Sequence, residues 1–247
     1  MESLTKEQLF KIAEIAYSAQ AELGDKMAGP DWRTKGLPFY RAIMREYAEC
    51  FDHIPWEWWK KQHQMEFTDT RRQQTMLELT DVFCFGMSDR IASLPKYEHS
   101  VLSGLWVSVL TTIMDKPLET TDSLETLRES IETAIENTLM LHNHSETDLA
   151  LVYRAIGATP KTIYLYYFGK NALNHFRQDN GDKLGQYPRT WEGIPDNEVL
   201  ADIVEALDTT LDTNSFVRLI EENEIIPVIK TALQVRYNLI AKGLVPA

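Results

Sequence analysis

Two pairs of acids sit in strongly apolar helical stretches of this chain. Glu46 and Glu49 lie three apart in REYAECF, and Glu78 and Asp81 lie three apart in LELTDVF. Residues three apart share a helix face. The second pair is flanked by Met76, Leu77, Leu79, Val82, Phe83, Phe85 and Met87. Four ionised carboxylates turned into one apolar space would repel one another and lose their hydration. Two arrangements relieve that. Either the acids reach solvent at the edge of the core and form salt bridges, or they face one another across a bound cation. An all-oxygen ligand set favours a hard ion, Mg2+ or Mn2+, over Zn2+. A di-iron carboxylate bundle would instead carry Glu-x-x-His pairs. Glu49 and Asp81 occupy those third positions here, and His53, His63, His142 and His144 lack the spacing.

The pattern around the acids is helical almost throughout, and no pair of strands joined by a hairpin turn stands out. Thr5 with Gln8 forms a capping-box pattern before a first helix that runs to about Leu23. Gly24 to Leu37 reads as a loop. A second helix is expected from Pro38 to His53, a short aromatic helix from Trp56 to His63, and a third helix from Asp69 to Leu94. Further helices are expected over Tyr97–Met114, Ser123–Leu141 and Ser145–Ile156. Another starts at Thr159-Pro160, with Pro suited to a first helical turn. Asp179 to Pro195, with three glycines, reads as a loop, and helices are expected from about Asn197, Asn214 and Pro227. Helices joined by short loops make an all-α bundle.

Charge narrows the function classes. The chain of 247 residues has 25 basic and 37 acidic side chains, a net charge of −12. A general nucleic-acid binder needs a basic footprint, so none is expected. The longest apolar run, Val101 to Met114, is too short to span a bilayer. The charged N-terminus MESLTKEQLFK has no secretory apolar segment, and two cysteines, Cys50 and Cys84, make no disulfide scaffold. A cytoplasmic protein is expected. On this acidic background, Lys170, Asn174 and Arg177 recur at helical spacing and present two cations and an amide on one face. Lys and Arg donate to phosphate oxygens. A salt-bridged surface face is the alternative.

In chain order, the pieces are Gln20, the Glu46/Glu49 pair, the WEWWK block, the Glu78/Asp81 pair and YFGKNALNHFRQDNG. A later Trp and Asp196-Asn197 complete the set. Together, over residues 8–205, they resemble the dimeric all-α dUTPases, relatives of the T-even phage dCTPase-dUTPase. A helical domain over 1–207 is expected, with 208–247 as a C-terminal helical extension packed on it. The resemblance implies that Glu46, Glu49, Glu78 and Asp81 bind Mg2+; on that basis Glu46 is the expected general base, a role that Glu49 can share. Lys170, Asn174 and Arg177 would hold phosphates, and Gln20 and Asn197 would contact base and deoxyribose. Trp56 and Trp59 would lie beside the base. The implied reaction converts dUTP, and also dUDP, to dUMP, with pyrophosphate released from dUTP by a homodimer. Alternatives are a dCTP/dUTP pyrophosphatase of the phage type and a non-catalytic helical nucleotide-binding module. Two positions depart from the family pattern. Asp182 stands where a phosphate-binding Tyr is usual, with Tyr187 as a substitute nearby, and Cys84 stands where His is usual and is expected to pack in the core.

Overall fold

The structure, a computed structural model, describes residues 3–59, 61, 66–95, 98–115 and 124–241. Among these are ten α-helices: α1 (Lys6–Ala28), α2 (Phe39–His53), α3 (Asp69–Ser93), α4 (His99–Met114) and α5 (Leu124–Leu141), followed by α6 (Glu146–Ala155), α7 (Pro160–Asp179), α8 (Asp196–Thr210), α9 (Thr213–Glu221) and α10 (Ile225–Ala241). Among the described residues, strands are confined to a two-residue antiparallel ladder, β1 (Thr190–Trp191) with β2 (Ile194–Pro195). Its turn residues Glu192 and Gly193 both have positive φ, 49° and 90°, which matches the twist of a tight hairpin. That ladder lies within the stretch expected to be a loop.

Helix starts follow local chemistry. The Thr5 hydroxyl accepts from the Gln8 amide while the Gln8 side chain accepts from the Thr5 amide. Thr68, Ser145, Thr159 and Asp212 cap α3, α6, α7 and α9 in the same sense. The expected starts at Tyr97 and Ser123 lie outside the described residues, as do positions 60, 62 and 63 of the expected aromatic helix. Trp56 and Glu57 of that segment are not helical, and Trp58 and Trp59 form a turn. The first helix also runs past its expected end. Gly24 lies inside α1 against the Trp32 ring, and a Cβ there would fall 2.6 Å from that ring.

The core forms around α3 and α7. Helix α3 packs against α1, α2, α6, α7 and α8, and α7 packs against α1, α3, α8 and α10. Every residue from Ile163 to Leu173 is buried. A helix that is apolar all round belongs inside a protein. Its tyrosines remain satisfied there: Tyr164 accepts from the Trp106 indole at 3.1 Å, and Tyr167 donates to the Ala16 carbonyl at 2.7 Å. Gly169 lets α8 close on α7. Its missing Cβ would lie 2.8 Å from Cγ2 of Val204, which is fully buried.

Gly169→Ala therefore forces an overpacked contact on a stiff β-branched side chain. Overpacking costs about 1–3 kcal/mol, which exceeds the helix-propensity gain of about 1 kcal/mol at most. The expected outcome is a net loss of stability in urea unfolding; equal or higher stability would contradict the close approach of α7 and α8.

Candidate active site

The acid pairs meet where α2 lies along α3. On α2, Ile43, Tyr47 and Cys50 are buried, which leaves Glu46 and Glu49 half-buried at the edge of that face. On α3, Leu77, Leu79, Val82 and Phe83 are buried around a half-buried Glu78 and Asp81. One carboxylate oxygen from each of Glu46, Glu49 and Glu78 lies within 4.8 Å of the other two. Partners for these acids are few and weak. Arg45 reaches Glu49 at 2.6 Å from an exposed position, and the His53 ring lies 3.4 Å from Glu78. Burial, then the charges of Asp81, Glu49 and Glu78, push the Glu46 carboxyl from its ordinary 4.5 up to about 8. Oxygen donors at this spacing suit a hard divalent cation.

Asp81 takes a different position. It stands outside that triad and accepts from the Lys170 ammonium at 2.6 Å. The Lys170 side chain is only 2% exposed. Its Nζ also lies 3.4 Å from Oδ1 of Asn197, at the start of α8. The same Asn197 oxygen accepts from Arg177 at 3.0 Å, and Arg177 donates to Asn174 at 3.3 Å. Polar contacts therefore run from the acid cluster through Lys170 and Asn197 to Arg177 and Asn174.

Arg177 is anchored by a residue to which sequence spacing assigned no role. Its Nε and one terminal nitrogen donate to the two oxygens of Asp196 at 2.9 and 2.7 Å. Asp196 is 2% exposed, and the Tyr187 hydroxyl donates to it at 2.9 Å. In the sequence, Asp196 is an acid at a helix start, where acids are common anyway. The signal available there was its place in the Asp196-Asn197 dipeptide. Tyr187 thus spends its proton on Asp196, while Asp182 is held by Arg189 at 3.0 and 2.8 Å. The charge at position 182 is compensated within its own loop. Cys84 is buried, and that burial pushes its thiol upward, as expected of a packing residue.

The remaining candidates lie apart from this chain of contacts. Gln20 is 6% exposed between α1 and α3, and its amide nitrogen donates to Ser88 at 3.0 Å. Its oxygen is 3.5 Å from the Tyr167 hydroxyl. Trp56 and Trp59 are exposed and meet edge to face at 5.4 Å, with Phe51 and Trp58 as their outer neighbours. Core packing is therefore not their role in this chain.

A carboxyl raised above its ordinary pKa binds extra protons in the folded state between about 4.5 and 8. Its contribution to stability is complete at low pH and is lost as pH rises through about 8. In EDTA, the unfolding midpoint should therefore fall across that interval, and Glu46→Gln should flatten the fall. An identical pH profile for both proteins would contradict the crowding of charge at Glu46.

A family model described as dUTPase matches residues 12–181 of this chain. No curated protein matches it. The match spans both acid pairs and the Lys170–Arg177 helix, which are the parts the structure joins. The chain belongs to the all-α dUTPase family.

Proposed function

We propose that this protein hydrolyses dUTP to dUMP and pyrophosphate, and dUDP to dUMP and phosphate, with Mg2+ or Mn2+ held by Glu46, Glu49, Glu78 and Asp81. The observation that carries this reading is the close carboxylate triad joined through Asp81 to a buried, basic helix face. Bound among these acids, the cation would offset the negative charge of both protein and triphosphate and make an attacking water more acidic. Glu46 then takes the proton of that water, with Glu49 beside it. The water oxygen bonds to the α-phosphorus, and the bond from that phosphorus to its bridging oxygen breaks. Pyrophosphate leaves with the bonding electrons.

Lys170, Asn174 and Arg177 hold the phosphate oxygens and balance charge on the leaving group. The two-pronged contact with Asp196 keeps the Arg177 plane in one orientation, which suits a positioned donor. Gln20 and Asn197 supply directed polar contacts to base and deoxyribose, and Trp56 and Trp59 supply aromatic surface beside the base. Residues 1–207 form the catalytic unit, and 208–247 form an extension that braces it through Tyr237, whose ring lies 5.1 Å from Trp191. A homodimer is supported by exposed apolar side chains on α4 and α5, Val101, Leu105, Leu139, Met140 and Leu141. A cytoplasmic setting is supported by two buried free thiols, and among the described residues no helix is long and apolar enough to cross a membrane.

With each deoxynucleoside triphosphate in turn, dUTP should give dUMP and pyrophosphate in Mg2+ and none in EDTA. Absence of metal-dependent dUMP release would overturn the proposal, and preferential turnover of dCTP in competition would reassign the base. Loss of a general base costs roughly 10²–10⁴ in rate. Glu46→Gln should therefore lower kcat by about that factor with its fold intact by circular dichroism. Near-normal turnover would remove Glu46 from the chemistry.

A further inference from the structure

A buried ammonium group is costly unless a negative partner compensates it. Lys170 has such a partner in Asp81, 2.6 Å away, and almost no contact with solvent. Asp81 is also the one acid of the four that stands outside the close triad. Glu46 feels the same lysine, which opposes the raising effect of its acidic neighbours. The acid cluster thus carries its own positive charge, delivered from α7. On its other side, Lys170 lies 3.4 Å from the Asn197 oxygen, which also accepts from Arg177. That second contact is long and weak, and it lies toward the helix face assigned to phosphate.

We propose that Lys170 is the resident counter-ion of the acid cluster and competes with the divalent cation for Asp81. A cation that takes Asp81 as a ligand displaces the ammonium, and the phosphate of a nucleotide then receives it. Cation and nucleotide consequently favour each other's binding, because each removes the cost the other leaves. This rests on the metal and phosphate roles proposed above. By linkage the effect is reciprocal: the nucleotide strengthens cation binding by the same factor by which the cation strengthens nucleotide binding.

The test is a calorimetric titration of Mg2+ into the full chain, alone and with saturating dUMP, for the unaltered protein, Lys170→Met and Lys170→Arg. In the unaltered protein dUMP should tighten Mg2+ binding about tenfold, within the usual range of coupling between sites. Lys170→Met should bind Mg2+ about tenfold more tightly without dUMP and show little further gain with it. Lys170→Arg, which keeps the charge, should retain the coupling. Should Lys170→Met fail to fold, Lys170→Gln, whose amide can still bond Asp81, carries the same expectations. An Mg2+ affinity in the neutral variants equal to or weaker than that of the unaltered chain, with coupling intact, overturns the counter-ion role alone. No Mg2+ binding by the unaltered chain overturns the metal site itself, and with it this inference.

Discussion

Like charge brought together at the edge of a hydrophobic core is the constraint around which this protein is built. Helices α2 and α3 pack along each other, with Ile43, Tyr47 and Cys50 buried on α2 and Leu77, Leu79 and Phe83 buried on α3. That packing carries Glu46, Glu49, Glu78 and Asp81 toward one place, where repulsion and lost hydration oppose it. The apolar contacts are numerous and the acids are few, so the helices stay together and the electrostatic cost remains local. It is visible in the upward displacement of the Glu46 carboxyl to about 8. Under the function proposed above, a bound cation would offset that cost.

The opposite charge comes from α7, which serves two purposes along its length. Its middle, Ile163 to Leu173, is sealed in the core and fixes the helix against α1, α3 and α8. Lys170 lies within that buried stretch, and Asn174 and Arg177 follow in the C-terminal turns. Because the buried part cannot slide, the polar part is held in register. Lys170 meets Asp81, and Arg177 meets Asp196 from the following helix. Gly169 has a comparable role, since the close approach of α8 at that point brings Asp196 and Asn197 within reach. Here the packing of the core and the placement of charge are the same event.

Much of this was legible in the chain before folding. The acid pairs, the cationic face and the helix caps depend on residues within one or two turns, so spacing alone reveals them. Legibility failed where a distant side chain overruled a local preference. Gly24 marks a loop by its chemistry, yet the Trp32 ring occupies the space beside it and the helix runs on. The aromatic segment from Trp56 reads as a short helix, yet Trp58 is 76% exposed in a turn. Asp182 departs from the family pattern by an added negative charge, and Arg189 pairs with it across a turn.

The sequence by itself determined that the chain is helical, that two helices bear paired acids, and that a third bears a cationic face. Those properties follow from the 3.6-residue period, and no partner is needed to read them. Only the tertiary structure decided that Glu46, Glu49 and Glu78 form a triad without Asp81, that Asp81 belongs to Lys170, and that Arg177 is clamped by Asp196. Ion pairing acts over a few ångströms in space, whatever the separation along the chain, and the core had to assemble before these groups could meet.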